Sequence, residues 1–128
     1  MSDAPDRSQR VAELEHALAI GFPSQSTVVV QADDASGRLT IHVSWVRVPS
    51  DQDAREWRCA VDLRFDPDVI ACYASLDAAD RLRVRTQLCD RARRAVDEYK
   101  PRVEDAAIEC SVTLDVTRTE FDAALRVP

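Results

Sequence analysis

Glycine is almost missing from this chain: Gly21 and Gly37 are the only two in 128 residues. A P-loop or a dinucleotide-binding turn needs clustered glycines, so that backbone N–H groups can close on a phosphate, and no such cluster exists. No G-x-S-x-G nucleophile elbow occurs either. Histidine is equally sparse. His16 and His42 lie far apart with no acid at ligand spacing, which argues against a metal centre, although the sequence leaves a Ser-His-Asp geometry open. Lysine is reduced to Lys100. No apolar run approaches the ~20 residues of a membrane-spanning helix. The N-terminal MSDAPDRSQR has no apolar core of a secretory signal. These absences lead to the expectation of a cytoplasmic protein without membrane contact, with residues 1–7 as a flexible tail.

The four cysteines, at 59, 72, 89 and 110, form no C-x-x-C pair and match no zinc-binding spacing. None opens a C-x5-R thiolate loop, because Phe65, Ala78, Ala95 and Val116 stand six residues further on. Each falls on the apolar side of its expected element. There a free cysteine packs as a small hydrophobe, so reduced, buried thiols and no cofactor are expected.

What remains is an ordinary globular composition. Hydrophobic residues make up 45% and charged residues 31%, enough to bury one core in a single domain spanning 1–128. The Arg, Ala, Asp and Val bias suits a GC-rich bacterial genome. Net charge is −6. That sign opposes general polyanion binding and favours solubility or a basic protein partner.

Along the chain, Val11, Leu14 and Leu18 recur at helical spacing from about Ser8 to Ile20, and Gly21 stops the helix. Three strands follow: STVVVQA, LTIHVSWVRV after the DDASGR turn, and EWRCAVDLRF. The second sends Leu39, Ile41, Val43 and Trp45 to one side. Val46 and Val48 then break the phase, which predicts a bulge or a doubly buried end. Asp66-Pro67 starts a short helix, Asp77 caps a long one to about Tyr99, and AIECSVTLDV is a returning strand. FDAAL suggests a short tail helix. The expected fold is α+β: an antiparallel sheet of about four strands with helices on one face. His42, Arg58, Asp62, Arg64, Glu109, Thr113 and Asp115 should populate the other face. Among these, His42, Arg58, Asp62 and Arg64 are interaction candidates.

Residues 80–94, DRLRVRTQLCDRARR, hold six arginines. A DNA-reading helix would align them. At ~100° per residue they spread around the solvent side instead. Acidic neighbours at helical spacing, such as Asp77 for Arg81, Asp80 for Arg83 and Asp90 for Arg93 and Arg94, should pair with most of them. Two do not fit. Arg81 and Arg85 project into the apolar sector formed by Ala78, Leu82, Leu88, Cys89, Ala92, Val96 and Tyr99. They must snorkel, meet a buried carboxylate, or face a second chain or an anion.

The run LRFDPDVIACYASLDAADR, following a V-S-W strand, resembles the small uncharacterised domain families common in proteobacteria. In element order the chain also resembles the class I type III secretion chaperones. That resemblance implies a small, acidic, cytoplasmic homodimer. The functional expectation is a non-catalytic protein-interaction module, regulatory or chaperone-like, that dimerises through the 77–99 helix or a free sheet edge. The alternatives are a nucleic-acid-associated regulator using the arginines of that helix, and a small-molecule enzyme without recognisable machinery.

Overall fold

The computed structural model describes residues 4–22 and 25–126. Helix α1 (Ala4–Gly21) is followed by strands β1 (Thr27–Ala32), β2 (Leu39–Arg47) and β3 (Glu56–Phe65). Helices α2 (Pro67–Ser75) and α3 (Ala78–Asp97), strand β4 (Ala107–Val116) and helix α4 (Arg118–Arg126) complete the chain. The first helix starts at Ala4, inside the stretch expected as a tail, and residues 1–3 lie outside the described residues.

The strands lie in the order β1-β2-β3-β4. The first two pairings are antiparallel and run without a break. The third is parallel, so the sheet is mixed and not wholly antiparallel. The cause is the α2–α3 excursion. Two helices carry the chain back along the sheet before β4 begins, and strands joined by such a crossover run the same way.

One sheet face makes the core. Leu39, Ile41, Val43, Val61, Leu63, Phe65 and Val116 are buried beneath Leu14 and Leu18 of α1 and Val69, Ile70 and Tyr73 of α2. Val84, Leu88 and Ala92 of α3 and Phe121 and Ala124 of α4 complete the cover. A smaller cluster of Trp57, Cys59, Ile108 and Cys110 sits at one end, against Val96 and Tyr99. Alternation along β3 and β4 follows the sequence pattern throughout.

Two local expectations need correction. Val46 and Val48 mark no bulge: the β2–β3 register continues to Arg47, paired with Trp57, and both valines are exposed. The alternation simply runs on past Trp45. On α3, Leu82 is 56% exposed and Val84 is buried in its place. The buried stripe passes through 81, 84, 85, 88, 89 and 92, the i, i+3, i+4 spacing of one helix face. Asp77 caps this helix as expected, accepting a hydrogen bond from the Asp80 amide at 2.8 Å. Asp66 occupies the N-cap position of α2, but its carboxylate is turned to Arg38 at 3.2 Å.

Candidate functional site

All four helices contribute to the core on one side of the sheet, and the opposite face carries outward side chains that are exposed or half-buried. Strand alternation and register order these side chains into rows. Val29, His42, Asp62 and Thr113 form one row, and Gln31, Thr40, Arg64 and Asp115 the next. On the other side, Thr27, Ser44, Ala60 and Ser111 line up across all four strands, followed by Val46, Arg58 and Glu109. Because every residue in the Thr27 row is small, the face dips there. A trough of about 580 Å³ results, with Arg58, Glu56 and Glu109 along one bank.

The four outer-face candidates thus share one surface. His42 Nδ1 and the Asp62 carboxylate are in direct hydrogen-bonding contact across β2 and β3. Their neighbours are Arg64, whose Nε donates to Asp115 Oδ1 at 2.8 Å, and Arg58, whose Nε lies 3.4 Å from Glu56 Oε1. The hydrogen bond from Arg64 holds the Asp115 carboxyl below the usual carboxylate range. The same bond raises the Arg64 guanidinium. The outward charges of β3 and β4 are Glu56, Asp62, Glu109 and Asp115 against Arg58 and Arg64, an acidic balance like that of the whole chain. Chemically, the surface offers a carboxylate-oriented imidazole, alternating charges, and a floor of hydroxyls beside Ala60.

Arg81 and Arg85 lie elsewhere, among the helices. Arg81 Nε reaches Glu13 Oε1 at 3.1 Å and Arg85 Nη1 reaches the same oxygen at 2.7 Å. Arg10 holds the other oxygen at 3.1 Å. The Tyr73 hydroxyl donates to Glu13 and accepts from Arg85 Nη1 at 3.0 Å. Glu13 is the residue that sequence reasoning passed over. One of two glutamates on the first helix, it gives no sign that α2 and α3 converge on it. Burial acts to raise its pKa, but the Tyr73 hydrogen bond and the three guanidinium charges prevail and hold it below normal. Burial first, and then the bond to Glu13, push the Tyr73 hydroxyl up to about 12.

The remaining arginines of α3 follow the helical-spacing expectation only in part. Asp90 pairs with Arg93 at 2.7 Å, whereas Asp77 is used as a cap and Arg91 turns to Glu120 of α4. Arg83 and Arg94 are exposed. Cys59, Cys89 and Cys110 are buried and Cys72 is half-buried, all free. Burial pushes the Cys59 thiol up to about 11. Among the described residues no group of three or more metal-ligating side chains occurs, and no helix is long and apolar enough to cross a membrane.

No curated protein and no solved structure matches the chain. A family model does match, over residues 11–115, from the middle of α1 to the end of β4. The chain therefore belongs to DUF3022, a family of proteins of unknown function.

Proposed function

We propose that this chain is a non-catalytic protein-interaction module of the bacterial cytoplasm, and that it receives its partner on the helix-free sheet face. The observation that carries this reading is the combination on that face of a broad, solvent-open trough with the charges of Glu56, Arg58 and Glu109 on its bank. A partner protein with basic groups suits the acidic balance of the banks, and charge complementarity of this kind sets encounter rate and register. The floor of small side chains admits a partner's larger ones. His42 and Asp62 border the trough as a hydrogen-bonding pair whose groups face outward from adjacent strands.

Self-association belongs to the same reading, through a sheet edge and not through α3. The α3 arginines that suggested a seam, Arg81 and Arg85, are turned inward to Glu13. Among the described residues, strands β1 and β4 each leave one edge without a strand neighbour, and unpaired strand edges pair readily with another copy.

The test is affinity capture from the native host followed by reconstitution with the purified partner. Wild-type protein and an Arg83→Glu/Arg94→Glu helix-side control should bind the partner equally by calorimetry. An Asp62→Lys/Glu109→Lys variant should lose at least about tenfold in affinity, as rim and core charge reversals do at specific interfaces. A partner that ignores the face variant and fails on the helix-side control would refute the assignment. A partner that proves to be nucleic acid, with steep salt dependence, would replace it with the regulator reading.

A further inference from the structure

Two of the four free cysteines are neighbours. Cys59 and Cys110 are direct partners in the parallel register of β3 with β4. Both face the helix side, at 4% and 1% exposure, and each thiol influences the ionisation of the other. Adjacent strands lie ~4.8 Å apart, within the ~4.4–6.8 Å Cα separation that a disulfide spans. Cys72 and Cys89 are on different helices, α2 and α3.

The pair also has an approach route. Cys59 lines a cleft of about 260 Å³ between the C-terminal ends of α1 and α3, walled by Phe22, Trp45 and Trp57. Phe22 and Trp45 pack with ring centres 4.9 Å apart and planes tilted by 36°. Arg47 lies over the Trp57 ring at 4.1 Å, the cation whose field acts on both thiols.

We propose that Cys59 and Cys110 are an oxidisable pair that forms a reversible disulfide between β3 and β4, with Cys59 as the entry thiol. With a small organic disulfide as oxidant, the Cys59 thiolate attacks one sulfur and expels a thiolate, which takes up the proton that Cys59 released. Cys110 then attacks the Cys59 sulfur of the mixed disulfide, and the second leaving thiolate takes up the Cys110 proton. The two cysteines lose two electrons and two protons, and the oxidant is reduced to two thiols. Since the thiolate is the nucleophile, burial makes the reaction slow near neutrality and faster as pH rises. The bond closes the whole α2–α3 excursion and fastens β4 to its neighbour. It lies directly beside Ala60 and Ser111, which floor the outer trough.

The test treats the folded protein with hydroxyethyl disulfide at pH 7 and at pH 9, followed by acid quench and peptide mass mapping. The expected product carries no disulfide between chains, has Cys59 linked to Cys110 with the loss of two hydrogens across that peptide pair, and leaves Cys89 free, while the half-buried Cys72 is either free or carries a mixed disulfide. Its formation should be up to about a hundredfold faster at pH 9, following the thiolate fraction. Cys110→Ser should stop at the mixed disulfide on Cys59, whereas Cys59→Ser should give neither adduct nor crosslink at 110. Cys72→Ser and Cys89→Ser should leave the crosslink in place. The proposal is overturned if the native protein forms no 59–110 link while the urea-unfolded chain crosslinks, or if the native link requires Cys72 or Cys89.

Discussion

The molecule holds two sets of ion pairs built from the same residue types, and they differ in what surrounds them. Among the helices, one carboxylate, Glu13, gathers Arg10, Arg81, Arg85 and the Tyr73 hydroxyl. On the outer sheet face, Arg64 and Asp115 or Arg58 and Glu56 meet one to one. Arg85 is 19% exposed, whereas the Asp115 side chain is 68% exposed. An exposed pair exchanges protein contacts for water at almost no gain. A shielded one, stripped of a partner, leaves charges without solvent to replace it. The helix-side network is therefore structural: it ties α1, α2 and α3 at a single oxygen. The face pairs are available for other use.

The two sets of ion pairs differ most at Glu13. Glu13→Gln removes the negative charge that three guanidinium groups share and turns one of its two acceptor oxygens into an NH2 donor. It should destabilise the fold by about 2–3 kcal/mol, less than the loss of a fully buried pair because part of the network is wet. Its pH signature follows from the lowered pKa. Between the folded and unfolded values the unfolded chain binds more protons, so stability rises with pH there. The Glu13 contribution is complete above its unfolded value near 4.5 and is lost as pH falls through the folded one. Urea midpoints measured from pH 7 to pH 3 should show this acid limb in the wild type and a reduced one in Glu13→Gln.

Arg85→Ala should cost ~1–3 kcal/mol, through lost stem packing and the charge left on Glu13. Tyr73→Phe should cost about 1 kcal/mol, the net value of a hydrogen bond. The hydroxyl itself gives a sharper reading. Tyr73 should ionise near pH 12 in the folded protein, and its phenolate absorbance should appear at lower pH in Glu13→Gln. Here the folded state keeps the proton longer, so stability falls as pH rises from about 10 to 12. Smallest of all, Arg83→Ala and Arg94→Ala should each change stability by no more than ~0.5 kcal/mol. Chemical denaturation of the two variants checks this, and a loss matching that of Arg85→Ala would erase the distinction between the helix faces.

How far the sequence could be read divides along similar physical lines. Period-two alternation placed every inward side chain of β3 and β4, from Trp57 to Phe65 and from Ile108 to Val116, and it put His42, Arg58, Asp62 and Arg64 on one outer face. Alternation is local, so it is legible without knowing the topology. The direction of β4 is not local. It depends on how α2 and α3 carry the chain back, and the register of Cys59 with Cys110 follows from that direction. The inward projection of Arg81 and Arg85 was legible from the helical wheel, but their partner was not. Glu13 is 68 residues from Arg81 in sequence, and only packing of α1 against α3 joins them. Leu82 shows the same limit: a hydrophobic residue near the apolar sector stays exposed when Val84 fills the space over the sheet.

The charges of the helix-free face are not required to build the fold. One measurement addresses this directly: equilibrium urea unfolding of a single variant carrying His42→Gln, Arg58→Gln, Asp62→Asn and Arg64→Gln, beside Glu13→Gln. The stripped-face variant should unfold cooperatively at the wild-type midpoint, while Glu13→Gln alone shifts to lower urea. A stripped-face midpoint that falls as far as that of Glu13→Gln would show instead that the open face is a structural element.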